Sequence, residues 1–429
     1  TLVDYDKEVL TALKEEIDKK TIHGLASYPS VQKLADAENS DMVIAVTGSD
    51  EVNMAACHIA KSLFNVPKRI ARLRANEYLR DEDKFDKAFF SISEVISPNI
   101  LLTDYVKNIL DHPGAFQAFE FASGLVQVVA ATVLPDGPLS GKKLSEFKNH
   151  MPNVDVKVVA IYRNNKNITP NGDTVILPDD DVFFLATEEN MRFMSELRKA
   201  ADKPHNVMIA GGGRVGSALA KKLENIYDLK LIEKDKHIAR IASQNLSSTV
   251  VLNNDIADES LLNNENISEV DYFCAVTNND QMNILSAKLA KDMGAKKTIA
   301  IVNKSSYRNL VSKEIDIVVS PEDVTIGSLL ASVRTSDIVN VHRLRAGEAE
   351  AMEIIVNGDS KTSKLVGKKI SELALPESIV IGALVRGNDV LLANDDLVVE
   401  TNDHVIIFVL QKKDISKIEK MFQVSVGFF

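Results

Sequence analysis

Short apolar runs alternate with amphipathic stretches through much of the chain. The run 207–210 has the length and composition of a buried parallel strand. It leads into Gly211, Gly213 and Gly216, and then into a stretch that puts Ala218, Leu219 and Leu223 on one helical face. Downstream, "DLKLIEKD" predicts a second strand ending at Glu233 and "TVVLNND" a third ending at Asp255. "VDYFCAVTNND" predicts a fourth and "KTIAIVN" a fifth. Helical segments are expected between them over 237–245, 259–262 and 283–293. Such strand–helix alternation implies a parallel sheet with helices on both faces.

A second pattern follows a different rule. "VDVKVVAIYRNNKNITPNGDTVILPDDDVFFLA" breaks short β-rich runs with Asn, Gly, Pro and Asp, and Val154, Val156 and Val158 alternate with Asp155 and Lys157. It predicts a small α+β sandwich, with "GKKLSEF" opening onto a short helix. The segment from Val380, "VIGALVRGNDVLLANDDLVVETNDHVIIFVL", repeats the design.

Both patterns occur twice. "DMVIAVTGSDEVNMAACHIAK" (41–61) aligns without a gap with "DYFCAVTNNDQMNILSAKLAK" (271–291). The shared residues are Asp41, Ala45, Val46, Thr47, Asp50, Asn53, Ala60 and Lys61. "LSGKKLSEF" (139–147) likewise matches "LVGKKISEL" (365–373). The order is therefore A–B–A–B. The expected fold is α/β, with two Rossmann-like parallel-sheet N-lobes alternating with two small α+β C-lobes. The expected boundaries are 1–112, 117–201, 205–321 and 341–426. "TLVDYDKEVLTALKEEIDKK" at the start matches "KLIEKDKHIARIASQN", which is strand two and its helix. About 25–30 upstream residues, with a first strand and a glycine loop, are therefore expected to complete the first N-lobe.

The chemistry is concentrated at the glycines. G-x-G-x-x-G alone is a weak signal, but here it follows a strand, opens a helix, and is followed by Glu233 at the end of strand two. Gly211 permits the tight turn, Gly213 admits a pyrophosphate to the backbone, and Gly216 lets helix and strand pack. The helix N-terminus offers free N–H groups to phosphate. Glu233 would accept from a ribose 2′-OH and favour NAD over NADP, although Lys234 beside it works against that preference. Asp4 is the first-half counterpart of Glu233. Thr47 and Thr277 end strand four, where ligands sit in open α/β sheets. Asp50 and Asn53 match Asp280 and Asn283. Either they cap the following helix, or they touch a ligand or a neighbouring subunit.

Composition narrows the classes. The 429 residues include 50 Lys+Arg and 61 Asp+Glu, for a net charge of −11. That balance argues against a duplex nucleic-acid binder and against direct binding to lipid. Cys57 and Cys274, the only cysteines, exclude a disulfide framework and a multi-cysteine zinc site, and read as buried free thiols. The longest uncharged apolar stretch within the chain, 121–135, falls short of the roughly 20 residues needed to span a bilayer and reads as one or two strands. No signal-peptide pattern opens the chain. Hydride transfer to a carbonyl needs a placed acid or base. The only Tyr-x-x-x-Lys, Tyr162 to Lys166, falls in an Asn-rich hairpin turn. The histidines do not pair at metal-ligand spacing, and His150, His205 and His237 read as solvated.

Several segments together carry a family resemblance: "VTGSDEVNMAACHIAKSLFNVPKRIARLRANEYL" from Val46, "HPGAFQ" from His112, "VMIAGGGRVGSALAKKLE" from Val207, "SDIVNVHRLRAGEAEAME" from Ser336 and "TSKLVGKKI" from Thr362. Over essentially its whole length the chain resembles two tandem RCK modules, the regulators of potassium conductance. The resemblance implies a non-enzymatic cytoplasmic regulatory subunit that binds NAD(H), with ATP at the same clefts. It also implies a homodimer or homotetramer ring, peripheral on the inner face of the membrane through the channel subunit of a Trk-type potassium uptake complex. By the same resemblance the first cleft would use Asp4, Leu25, Ala26, Thr47, Gly48 and Arg72. The second would use Gly211, Gly212, Gly213, Arg214, Val215, Glu233, Asp255, Ile256 and Thr277, with Gly216 closing the glycine motif. Two positions depart from the pattern: Ile301 stands where the first half has Arg72, and Asn254 stands where a glycine is expected. An NAD-dependent oxidoreductase and a nucleotide-sensing regulator of another cation transporter are the competing readings.

Overall fold

The structure is a computed structural model that describes residues 1–75, 78–79, 90–137, 139–147, 154–164, 166–191, 205–311, 314–334 and 337–424. His150 and the expected boundaries at 201 and 426 lie outside these residues. The chain forms two compact units, Thr1–Asn99 and Ile100–Phe429.

The first unit holds β1 (Leu2–Asp4), α1 (Lys7–Glu16), β2 (Thr21–His23), α2 (Pro29–Leu34), β3 (Met42–Ala45), α3 (Asp50–Ser62), β4 (Lys68–Arg72) and β5 (Glu94–Ile96). All its strand pairs are parallel, in two separate sheets, β1–β2 and β3–β4–β5. Asp6 starts α1 by accepting from the Glu8 and Val9 N–H groups. Met54, Ala56 and Cys57 of α3 pack with Ala45, Ala71 and Leu73 to form its main core.

The helix α4 (Pro98–Asp111) carries the chain into the second unit. An antiparallel sheet follows: β6 (Gln117–Phe121), β7 (Val126–Thr132), β8 (Val156–Arg163), β9 (Lys166–Ile168) and β10 (Asp181–Thr187), in the order β6-β7-β10-β8-β9. Next come β11 (Asn206–Ala210), α5 (Arg214–Leu223), β12 (Asp228–Ile232), α6 (Lys236–Asn245), β13 (Val250–Leu252), α7 (Glu259–Asn264), β14 (Tyr272–Ala275), α8 (Asp280–Asp292), β15 (Lys297–Ile301), α9 (Ser305–Val311) and β16 (Ile317–Val319). These strands form one parallel sheet in the order β13-β12-β11-β14-β15-β16. The strand order reverses at β11, which makes the ends of β11 and β14 the switch point of a doubly wound sheet. Then α10 (Pro321–Val333) leads to a second antiparallel sheet: β17 (Ile338–Leu344), β18 (Ala349–Ile355), β19 (Ile379–Arg386), β20 (Asp389–Leu392) and β21 (His404–Val409), in the order β17-β18-β21-β19-β20, closed by α11 (Ile415–Phe422).

Several elements differ from the sequence pattern. The strand expected to end at Asp255 ends at Leu252, because the backbone of 253–255 is used in turn bonds to Glu233 and Asn254. Helix α8 begins at Asp280, three residues before the expected start, because Asn279 caps it by accepting from the Met282 N–H. Three elements are additional: β16 is only three residues long, α9 only seven, and α10 carries apolar residues around its girth rather than in a stripe.

The two antiparallel sheets explain the expected sandwich differently from the sequence pattern. Neither B unit is a sandwich by itself. Each is one sheet, and the central strands β10 and β21 are buried along nearly their whole length. A sheet with two apolar faces needs two covers. Phe121, Val159, Phe183 and Leu185 of the first sheet share one core with Leu344, Ala351, Ala383 and Phe408 of the second. The approach is close at Gly382, where a Cβ would stand 2.5 Å from Leu185 Cδ1. Across the same junction Phe119 stacks on His342 at 4.4 Å, and Glu353 accepts from the buried Ala122 N–H at 3.0 Å. The short helix expected after "GKK" is a single 3-10 turn, Leu144–Glu146. In the parallel sheet, α4 covers one face: Leu102, Val106, Ile109 and Leu110 are buried with Val207, Leu219 and Leu223.

Each antiparallel sheet carries the same charged clasp. Arg163 donates from Nε and Nη2 to the fully buried Asp180, and Arg386 donates likewise to the fully buried Asp403. Asp403 also accepts from the Glu400 N–H. Removing one partner of such a pair strands the other's polar groups. Asp403→Ala should therefore lower unfolding stability by about 3 kcal/mol, read as a lower denaturant midpoint.

The stacked His342 adds a pH term. Burial pushes its imidazole down to about 4, so between that value and its ordinary 6.5 the unfolded chain binds the extra proton. Stability should fall as pH drops from 6.5 toward 4. His342→Phe should reduce that slope in denaturation curves taken across this range.

Candidate functional site

The cleft at the switch point of the six-stranded sheet is built by three glycines with three different physical roles. Gly211 has φ +111°, and a Cβ there would stand 2.9 Å from Thr277 Cγ2. At Gly216 a Cβ would stand 1.8 Å from the Gly211 carbonyl oxygen, so this position sets how closely α5 lies on the loop. Gly213 has ordinary dihedrals, open space where a Cβ would be, and no side-chain cap to offer α5. The first turn of that helix thus presents its N–H groups to an open mouth. Arg214, the first helical residue, is exposed, while Val215 packs on the core behind it.

Glu233 follows β12, and its carboxylate is fixed at both oxygens. Oε2 accepts from the Gly212 N–H at 2.6 Å and Oε1 from the Asp235 N–H at 2.8 Å. A Cβ on Gly212 would lie 2.9 Å from Glu233 Cβ, so the glycine makes this approach possible. A carboxylate has about four acceptor sites, so two remain for a ligand. Asn253 Nδ2 holds the same turn by donating to the Glu233 and Lys234 carbonyls at 2.9 and 3.0 Å.

Across the mouth, Lys234 Nζ donates to Asp255 Oδ2 at 2.7 Å, while Asp255 Oδ1 accepts from the Ala257 N–H at 3.1 Å. The Lys234 ammonium and that N–H hold the Asp255 carboxyl below its usual range. Ile256 is buried below it. Asn254, which replaces the expected glycine, is not among the residues with left-handed backbone. Its Oδ1 accepts from the Asp255 N–H at 2.7 Å instead.

Thr277 is held by Asn283, which is fully buried. Asn283 Oδ1 accepts from the Thr277 N–H at 2.8 Å and from its hydroxyl at 2.6 Å. Asn283 Nδ2 donates to the Thr277 and Ile301 carbonyls at 3.0 and 2.8 Å, tying the ends of β14 and β15 together. Asp280 is not the cap of α8, a place taken by Asn279. It accepts from the Asn303 and Lys304 N–H groups and clasps the loop after β15.

The first unit repeats this framework. Asn53 accepts from the Thr47 N–H and hydroxyl and donates to the Arg72 carbonyl at 2.8 Å. Asp50 accepts from the Arg74 and Ala75 N–H groups, and Ser49 caps α3. The capping reading of Asp50 and Asp280 thus gives way to Ser49 and Asn279, one residue earlier. Asn53 and Asn283 are the residues whose role the pattern left open, although their identity in both repeats marked them.

Of the first-half candidates, Thr47, Gly48 and Arg72 come together. Arg72 Nη2 donates to the Thr47 carbonyl at 2.9 Å, its Nε is buried without a partner, and burial lowers its pKa. Gly48 is exposed. Asp4 and Leu25 lie at the neighbouring ends of β1 and β2: the Gly24 N–H donates to the Asp4 carbonyl, and Asp4 Oδ1 accepts from the Asp6 N–H at 2.9 Å. The Ala26 carbonyl accepts from Gln32 Nε2. Ile301 keeps the backbone role of Arg72 but buries its side chain in the core.

Other residues with candidate chemistry lie elsewhere. Tyr162 belongs to the antiparallel sheet, buried beneath the Arg345 guanidinium, and Lys166 is on the adjacent strand. His205 and His237 are exposed. Burial pushes the Cys57 and Cys274 thiols up to about 12. Among the described residues, no three His, Cys, Asp or Glu side chains gather as a metal site, and no helix is long and apolar enough to cross a membrane.

A doubly wound sheet with a glycine turn and a fixed acidic residue, joined to paired antiparallel sheets, is the architecture of RCK domains. The chain spans 98% of its length against the GsuK RCK domain (TM-score 0.58, 16% identity, 89% of that chain). It covers the same share against the GsuK channel bound to NAD (TM-score 0.59, 17% identity, 74% of that chain). The TrkA-N domain matches residues 1–98 and 207–321, and the TrkA-C domain matches 128–198 and 360–423. The chain is 47% identical over its full length to the Trk system potassium uptake protein TrkA of Halomonas elongata. It is 44% identical to that of Vibrio alginolyticus and 43% to that of Haemophilus influenzae, with 94% of each relative covered. The chain belongs to the TrkA family of potassium uptake proteins.

The contact at Gly216 gives a direct test. Gly216→Ala should push α5 off the loop and cost about 1–3 kcal/mol or more, read as a lower unfolding midpoint.

Proposed function

We propose that the chain is a nucleotide-responsive regulatory subunit of a potassium uptake system, and that its second cleft binds NAD(H). The observation that carries this reading is the ready-made pair of the open Gly213 turn and the doubly anchored Glu233. The open turn suits a diphosphate, which needs N–H donors, positive dipole and room for close approach. The anchored carboxylate suits a ribose diol, which needs acceptors already in place. When bound, the dinucleotide would bridge the helix end and the turn after β12. The chain's part would be to hold Glu233 through Gly212 and Asp235, and to hold the β14 end through Asn283. Arg214, Val215, Asp255, Ile256 and Thr277 would border the ligand, with Gly211 and Gly216 shaping the turn. In the first unit, Asp4, Leu25, Ala26, Thr47, Gly48 and Arg72 would form the matching cleft, and ATP would compete at the same clefts.

The regulatory role rests on the relatives, which are named as potassium uptake proteins, and on the fold shared with a channel solved with NAD. The subunit would act on the cytoplasmic side of the membrane, bound to the channel subunit of a Trk-type complex, as a homodimer or homotetramer ring. Symmetric assembly lets one surface meet a symmetric channel repeatedly. The modules would follow the boundaries 1–112, 117–201, 205–321 and 341–426. The chain would itself perform no turnover.

Calorimetry with NADH tests the cleft. Glu233→Ala should weaken second-cleft binding by about 1.5–3 kcal/mol, the range for bonds to a charged group. Gly213→Asp has room to fold normally, but it places a carboxylate at the phosphate position and should abolish that binding. Unchanged affinity in both variants would refute the reading.

A further inference from the structure

Glu233 is followed directly by Lys234, a cation next to the residue that would read the ribose. A 2′-phosphate set against Glu233 alone is repelled, but with a free ammonium beside it the same phosphate gains a partner. The structure shows that this ammonium is engaged. Lys234 Nζ lies 2.7 Å from Asp255 Oδ2, although the lysine side chain is 77% exposed. Asp255 is the fixed member of the pair, because its Oδ1 accepts from Ala257 and its own N–H donates to Asn254. Asn253 holds the Lys234 backbone from the other side. The Lys234 backbone is thus held while its side chain is largely exposed, and the side-chain bond that places its ammonium is the one to Asp255.

The first unit lacks both members. The turn bonds show the correspondence: Gly24 N–H to Asp4 carbonyl matches Asn254 N–H to Glu233 carbonyl, and Asp6 to Asp4 matches Asp235 to Glu233. Tyr5 therefore stands for Lys234 and Leu25 for Asp255. Both are exposed side chains without charge, at 69% and 38%. Where the position beside the acid is a cation, the position across the mouth is a carboxylate; where there is no cation, there is no carboxylate.

We infer that Asp255 is a specificity-determining residue of the second cleft, which excludes 2′-phosphorylated dinucleotides by holding Lys234 away from the ribose position. The inference rests on the nucleotide-binding reading above. It gives Asp255, which borders the ligand in that reading, a second role exerted through Lys234. The pair is exposed, and exposed pairs are weak. Releasing the lysine should therefore shift affinity by about two- to fivefold.

The experiment titrates the full chain with NADH and with NADPH. Asp255→Asn keeps an acceptor for the Ala257 N–H but loses the charge. It should raise the NADPH-to-NADH affinity ratio by about two- to fivefold, whatever it does to NADH binding itself. The Lys234→Ala/Asp255→Asn double variant should lose the gain, because the cation that produced it is gone. The first unit has neither residue, so any binding there stays constant across the series. An unchanged or lower NADPH-to-NADH affinity ratio in Asp255→Asn, or a gain in that ratio that survives in the double variant, would overturn the tether. Failure of the parent chain to bind NADH would overturn the nucleotide reading itself, and the tether with it.

Discussion

The six-stranded parallel sheet and its helices depend on one close approach: α5 lying against the Gly211 carbonyl at Gly216, where no Cβ fits. That contact puts the helix end directly beyond β11, at the point where strand order reverses. It also brings Gly212 within reach of Glu233 on the next strand. Without it, the helix N-terminus and the acidic residue would be separate surface features. With it, they border one mouth, so a backbone contact too small to leave a hydrophobic signature defines the chemistry of the cleft.

A second constraint organises the rest of the larger unit. A five-stranded sheet whose central strands are apolar on both faces cannot remain alone in water. Here one chain supplies the two sheets that cover each other, so the pairing is intramolecular and insensitive to protein concentration. The contacts across the junction are specific as well as apolar. Phe119 stacks on His342, Gln117 donates to the Arg343 carbonyl, and Arg345 pairs with Asp181. Arg343 in turn shares Asp323 with Arg308, so α9, α10 and the second antiparallel sheet meet at a single carboxylate. The parallel and antiparallel layers are thus joined by buried charge as well as by α4.

Much of this was legible in the chain. The period of apolar positions marked five of the six strands of the complete sheet, because parallel strands buried on both faces read as short uniform runs. Gly211 and Gly216 were legible because each stands where no Cβ fits, and Gly213 and Glu233 because they fall at the spacing of the same motif. The sandwich was not, because alternation along a strand says that a face is buried but not what buries it. Three-residue β16 is too short to carry a period, and α10 shows none. The roles of Asp50 and Asp280 were left open between capping and contact with a ligand or neighbouring subunit for a similar reason. An acidic residue at a helix start looks the same in sequence whether it serves its own helix or, as here, the backbone of the next loop.

The repeat separates two kinds of residue that a single copy would leave mixed. Thr47 and Thr277, Asp50 and Asp280, and Asn53 and Asn283 are identical and make matching bonds to the protein's own backbone or to each other in both units, with Asp280 also accepting from the Asn303 side-chain amide. They staple strand ends and loops, a task any ligand would require equally. The residues that differ include Tyr5 against Lys234 and Leu25 against Asp255, which lie beyond strand ends, and Arg72 against Ile301, whose side chain is buried in the core. A shared framework with unlike rims is the arrangement expected when two clefts keep one fold and select ligands separately. In the proposed reading, the framework would fix where a ligand lies, and the charges at the rim would decide which ligand gains by lying there.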